Sequence, residues 1–208
     1  MKNKYLFLIC IGIGFFGCKN TNEPSAIPAN HFVDANTRIY SRIVFDVNGQ
    51  QIGSSIDTVS IVSSSTYDGS KQITFSDETR ATLCGGDSAW VLTEFNPNTS
   101  FCSLSKFPAK PGDTLLKVRF IPTQIGDVNG PANITTVVTE NGKKVMVSPG
   151  IYDCSVYEFS MVMSYLPAKL KVITYVSPSI GVVKREYYST NSDNQLYLST
   201  TDELIGKE

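Results

Sequence analysis

The chain has 208 residues, 41% of them hydrophobic, with 18 Lys and Arg set against 19 Asp and Glu. A near-neutral balance without a basic run argues against a nucleic-acid partner and against electrostatic docking on anionic lipid. The length suits one domain with enough interior to bury a core.

Lys2 and Lys4 precede an uninterrupted apolar run over residues 5–16, followed by Gly17 and Cys18. A run of that length is too short to span a bilayer, which takes about 20 residues. It fits the apolar region of a secretory signal, with the two lysines as its positive start. The segment Phe15-Phe16-Gly17-Cys18 resembles a lipobox, with Phe16 and Phe15 standing where a small residue and Leu are usual. Residues 1–17 are thus expected to be a signal peptide and Cys18 the site of lipid attachment, by palmitate and related acyl chains. Lys19 follows Cys18, whereas Asp at that position retains some lipoproteins in the inner membrane. Outer-membrane anchoring is therefore expected, facing either the periplasm or the cell surface. Residues 18–30 are polar, carry Pro24 and Pro28, and read as a flexible tether. The mature chain keeps 16 Lys and Arg against 19 Asp and Glu, since two lysines leave with the signal. Residues 31–208 are expected to form a single domain.

From there the chain alternates apolar and polar residues between closely spaced turns. Strands are expected over 38–47 and 50–64, joined at Asn48-Gly49, with a bulge or break at Gly53-Ser54-Ser55. Further strands follow over 71–76, 79–83, 88–95 and 100–104. Phe107 to Asp113 reads as a loop fixed by Pro108 and Pro111, and 114–121 as a strand stopped by Pro122. Residues 133–140 and 143–148 flank a second Asn-Gly pair, Asn141-Gly142, read as another hairpin. Strands over 154–165, 169–177, 181–189 and 195–199 complete the series, with 202–207 as a terminal turn. No helix of ten or more residues is legible. The pattern specifies an all-β fold: one antiparallel meander whose curved sheet forms a half-barrel or barrel-like sandwich.

The strand over 154–165 puts Tyr157, Phe159, Met161, Met163 and Tyr165 on one face. That face is either ordinary core or the apolar wall of a ligand concavity, since Met adapts to irregular apolar ligands. Of the five cysteines, Cys10 leaves with the signal and Cys18 carries lipid. Cys84 and Cys102 bracket one predicted strand and are the first-choice disulfide in an oxidising compartment, leaving Cys154 free and buried. No metal site is expected, because the remaining cysteines are far apart in sequence and His31 is the only histidine. His31 sits at the end of the tether, where nothing holds a general base in place. Asp127-Val128-Asn129-Gly130 has its glycine too early for a calcium loop and reads as a turn. The acid pairs Asp153 with Glu158 and Glu94 with Asp87 could in principle serve glycoside hydrolysis, although the first pair lies on opposite faces of its strand. No cofactor is expected. The triplets starting at Asp57, Asp87 and Asp113 match an Asp-Ser/Thr-apolar pattern used for O-glycosylation in some Gram-negative exporters, and each also reads as a strand start.

The run from Tyr175 to Glu186, with Pro178, Ile180, Gly181, Val183 and Lys184, resembles a Tyr-x-x-Pro-x-Ile-Gly-x-Val-Lys pattern in uncharacterised Gram-negative lipoproteins. Pro149-Gly150-Ile151-Tyr152-Asp153-Cys154 and the Pro108 to Asp113 loop resemble other stretches of the same proteins. The resemblance covers about residues 107–190. Some of those proteins resemble the lipoprotein localisation factors LolA and LolB, in which a curved antiparallel sheet cups acyl chains. The resemblance implies a curved sheet and carries no catalytic residue over to this chain. The expectation is a non-enzymatic outer-membrane lipoprotein, held on the membrane by its lipid and binding an apolar ligand or an envelope protein. The alternatives are a structural or adhesive envelope component and, third, a carboxylate-based glycan hydrolase.

Overall fold

The computed structural model describes residues 37–68, 70–85, 90–96, 101–120, 132–163 and 169–207. The signal, Cys18, the tether and His31 lie outside the described residues, as do Asp87, residues 127–130 and Tyr165. Twelve strands follow in chain order: β1 (Thr37–Phe45), β2 (Gln51–Tyr67), β3 (Ser70–Phe75), β4 (Arg80–Gly85), β5 (Trp90–Asn96), β6 (Phe101–Phe107), β7 (Thr114–Phe120), β8 (Ala132–Val147), β9 (Gly150–Met163), β10 (Lys169–Ser177), β11 (Gly181–Thr190) and β12 (Leu196–Lys207). No helix occurs among the described residues.

Every strand pairs with its sequence neighbour except β6 with β7, and β1 pairs with β12. The result is an antiparallel meander bent into a nearly closed, barrel-like ring whose seam lies between β6 and β7. Two long strands make the bend. β2 pairs with β1 through residues 51–60 and with β3 from Ile61 onward. β8 pairs with β7 only as far as Val137 but with β9 along almost its whole length. A strand that changes partner partway turns a corner, as in barrels and orthogonal packings.

Two clusters fill the interior. In the larger, Ile73, Phe75, Ala81, Leu83, Trp90 and Leu92 from β3–β5 meet Val138, Tyr157, Val176 and Val182 from β8–β11. Trp90 stacks on Phe107 with ring centroids 5.6 Å apart. In the second, Val145, Val147, Cys154, Ile180, Val183 and Leu204 close one end of the ring, with Tyr40, Tyr152 and Tyr175 packed against them.

The meander matches the sequence expectation, and two local readings do not. Asn141-Gly142 is no hairpin. β8 runs through it: Glu140 faces Val156 and Lys143 faces Cys154, so two residues oppose one. This is a β-bulge, and Gly142 supplies its left-handed turn at φ 73°. Asn141 holds it in place, donating to the Ala109 carbonyl at 3.1 Å and accepting from Ser155 Oγ at 2.9 Å. The chain reverses instead at Ser148-Pro149. Residues 202–207 form no terminal turn; they belong to β12 and pair with β1, a partner some 160 positions away.

Leu83 is fully buried at the centre of the larger cluster. Leu83→Ala is expected to cost about 2–5 kcal/mol, read as a lower urea midpoint at unchanged slope.

Candidate functional site

The interior is not apolar throughout. On β1, Arg38, Tyr40 and Arg42 alternate and so project from one face. The register sets Arg42 opposite Asp202 on β12, and Asp202 opposite Arg185 on β11. On β5, Trp90, Leu92 and Glu94 share the inward face, and all three are buried. Arg38, Tyr40, Arg42, Glu94, Arg185 and Asp202 line a cleft of about 970 Å³, together with Asp57, Thr58, Phe75, Val172, Tyr187 and Thr200. Among the described residues, its lining holds no lysine, histidine or cysteine.

Arg42, Asp57, Asp202, Arg185 and Glu94 pair with one another, while Asp77, also in the lining, accepts from the Thr79 backbone and hydroxyl. Arg42 grips Asp202 with both ends of its guanidinium, Nε to Oδ1 at 2.7 Å and Nη2 to Oδ2 at 2.9 Å. Its remaining arm reaches Asp57 on β2 at 3.0 Å. Arg185 donates to Glu94 Oε2 at 2.5 Å, across the interior from β11 to β5, and Ser103 Oγ donates to the same oxygen at 3.1 Å. Arg38 lies over the Phe75 ring, 5.7 Å from its centroid. Burial works against the charge on Arg185, and the fields of Glu94, Tyr187, Tyr40 and Asp202 outweigh it, so its pKa stands above the usual arginine value. Hydrogen bonding to Asp202 raises Arg42 in the same sense. Burial raises the phenols of Tyr40 and Tyr187, which keeps both as neutral hydrogen-bonding groups. Tyr40 donates to the Val182 carbonyl at 3.1 Å.

The apolar face expected on β9 is largely core. Tyr157 and Phe159 are buried, and the Tyr157 hydroxyl donates to the Lys106 carbonyl. Met161 is half-buried; the Met163 side chain and Tyr165 lie outside the described residues. Tyr157, Phe159 and Met161 do not line the cleft. Asp153 is exposed and paired with Lys144, and Glu158 is paired with Lys171, so that acid pair does not converge. Glu94 does face the cleft, committed to Arg185.

Cys154 is free, buried and pushed up to about 12 by desolvation and then by Asp153, which leaves it an unreactive thiol. Cys84 is disulfide-bonded. The backbone register places Cys84 opposite Val91 and Cys102 opposite Phe95 on the two flanks of β5. The Cys102 side chain lies outside the described residues.

Sequence reasoning missed Arg38, Arg42, Arg185, Tyr187 and Asp202. A signal was present: charged and aromatic residues at period two within otherwise apolar strands mark a polar inward face as well as a solvated one. What pairs them is long-range closure, which local pattern does not carry.

Glu94→Gln leaves Arg185 buried against a neutral partner and is expected to cost about 3–5 kcal/mol in urea unfolding. Glu94→Leu combined with Arg185→Met removes both charges and is expected to be less destabilising than Glu94→Gln alone. The phenols of Tyr40, Tyr157, Tyr187, Tyr188 and Tyr175 are all raised, chiefly by burial. A group raised on folding contributes stability that is complete below its unfolded pKa and is lost as pH climbs through its folded value. Stability is therefore expected to fall above about pH 10, the ordinary tyrosine value. In an alkaline titration followed by phenolate absorbance, these five are expected to ionise late, in one step with loss of the β-sheet circular dichroism signal.

No family model matches the sequence, and no curated protein matches it. Solved structures to which the chain is similar include the following two. One, described as a putative lipoprotein from Parabacteroides distasonis, is 12% identical, matches 86% of this chain and 99% of its own, and superposes with a TM-score of 0.50. The other, described as a putative exported protein with YmcC-like fold from Bacteroides fragilis, is 16% identical over 86% of this chain and 99% of its own, with a TM-score of 0.44. At such identity, what this chain shares with the first is its fold.

Proposed function

We propose that the protein is a non-enzymatic lipoprotein of the outer membrane, anchored through Cys18, whose β domain receives a polar small molecule in the cleft. The cleft carries this reading. Its volume lies at the upper end of the range of small-molecule sites, roughly 300–1,000 Å³. An apolar occupant would strip water from Arg42, Asp57 and Asp202 without replacing their hydrogen bonds, which is costly. A polar one would exchange water for fixed donors and acceptors, including the hydroxyls of Thr58, Ser199 and Thr200. The ligand expectation thus moves from an apolar wall on β9 to a charged cleft between β1, β11 and β12. The non-enzymatic reading is supported by the pairing of Asp57, Asp202 and Glu94 with arginines and by a lining that, among the described residues, holds no histidine or cysteine. The anchor rests on the sequence layout at Cys18, and the fold shared with the Parabacteroides lipoprotein is consistent with it.

A second reading, an envelope component that docks a protein partner, is favoured by one observation. Val47, Ile52 and Leu196 are exposed at the end of the ring where the β1–β2 and β11–β12 connections lie.

Native mass spectrometry of the domain purified from a Gram-negative envelope tests the cleft. A small polar adduct is expected on the wild type and is expected to be lost in Asp57→Ala, which removes an exposed wall of the cleft while sparing the Arg42–Asp202 grip. An adduct-free mass moves the weight to partner docking. Palmitate labelling of the whole chain, abolished by Cys18→Ser, tests the anchor.

A further inference from the structure

The tip of the β8–β9 hairpin carries an apolar pair that the fold leaves uncovered. Met146 and Ile151 face each other across the hairpin and are 76% and 62% exposed. Their neighbours Val145 and Val147 point the other way and are buried, packing with Ile180, Val183 and Leu204 over the end of the ring. The tip is thus a folded, inward-anchored element with an outward apolar surface. Lys144 and Asp153 pair beside it at 2.6 Å, so the surface carries no net charge.

Strand directions fix which end of the molecule this is. β1 starts where β12 finishes, Arg38 opposite Lys207. Following the antiparallel order across the sheet, the β10–β11 turn lies at the same end, with Ser177 opposite Gly181. β9 begins there too: Ser155 faces Val176 near the close of β10, and the hairpin continues past that level to Gly150. The apolar tip therefore stands at the end of the ring where the chain arrives from Cys18. Among the described residues, exposed Val47, Ile52 and Leu196 stand at the opposite end, while exposed Tyr67, at the β2–β3 turn, stands on the same side as the start of β1.

We propose that the β8–β9 tip rests on the bilayer that holds the lipid anchor, inserting Met146 and Ile151 at its surface and fixing the orientation of the domain. The occupant is the membrane because the strand directions turn this tip toward the arriving tether. The neutral surface suits it as well, since neutral side chains enter the boundary of a bilayer without the cost of burying charge. Two such side chains bind weakly alone; beside acyl chains they need only orient a protein already held in place. This inference rests on the anchoring at Cys18 proposed above.

The test uses the mature, full-length lipidated chain in vesicles of phosphatidylethanolamine and phosphatidylglycerol with brominated acyl chains. The chain has one tryptophan, Trp90, buried in the larger core cluster, so it serves as an internal blank. Met146→Trp and Ile151→Trp place a reporter at the tip, and Ile52→Trp places one at the opposite end. Flotation with the vesicles reads the anchor independently of the reporters. The tip reporters are expected to lose roughly half their emission, because such a contact sits roughly 5–10 Å into the headgroup and acyl boundary. The Ile52→Trp reporter is expected to lose none beyond Trp90 itself. Floating protein with unquenched tip reporters overturns the membrane contact and points to a protein cover for the tip. Quenching at position 52 in place of 146 and 151 overturns the orientation. Protein that does not float overturns the anchor, and the contact with it.

Discussion

The pairing of β1 with β12 is the constraint on which the rest depends. Local hairpins alone would give two six-stranded ribbons, β1–β6 and β7–β12, with four bare edges between them. Joining β1 to β12 removes two of those edges, makes one twelve-stranded sheet, and leaves β6 and β7 as its edges in mid-chain. It also makes the cleft, since Arg42 and Asp202 meet only because β1 and β12 are neighbours. Forming contacts of such sequence separation is entropically expensive and slow, which is common in closed β architectures. The bidentate Arg42–Asp202 pair adds direction to this closure, because a slip of one residue would turn Asp202 away from Arg42.

The seam between β6 and β7 is managed differently. Their connection folds back on β8. Gly112 donates to the Val138 carbonyl at 2.8 Å, Val138 donates to the Asp113 carbonyl at 2.9 Å, and Asn141 holds the Ala109 carbonyl. This loop is tied to the β8 bulge, so the corner strand and the seam stabilise each other. The bulge has a structural reason here: without the extra residue, Asn141 could not reach both Ala109 and Ser155.

The strand periods and turns were legible because they are local. Gly49, in the Asn48-Gly49 turn between β1 and β2, adopts the left-handed conformation that such a turn requires. Asn141-Gly142 misled for a physical reason: the same left-handed glycine that closes a hairpin also makes a bulge, and only the partner strand decides between them. The stretch 202–207 misled because its partner is β1. The cleft was illegible for the related reason that no single segment contains it. Arg38, Arg42, Glu94, Arg185 and Asp202 come from four strands, and each alone reads as a surface charge. The β9 face was read as core or ligand wall, and the burial of Tyr157 and Phe159 makes that part of it core.

A charged interior raises the question of why this chain did not fill the space with apolar residues. Replacing buried ion pairs by well-packed hydrophobic side chains is often neutral or stabilising, so stability alone does not account for Arg185–Glu94 or Arg42–Asp202. The two pairs have a common geometry. Each joins strands on the cleft wall, and each spreads its charge over a planar guanidinium whose carboxylate partner fixes its angle. Such pairs hold donors and acceptors at set positions in a partly dry space, where a hydrogen bond to an entering polar group is stronger than in water. Apolar filling would have given a tighter core and no cleft. The outer face of β10–β12 offers the contrast. There Lys184 bridges Glu186 and Glu203, and Tyr188 and Tyr175 donate to Glu186, in a network that is stitched flat along the sheet and encloses no space. The chain thus has the means to satisfy charges on a surface. Placing another set inward, around a cavity, is a use of charge that a binding role explains and that packing alone does not.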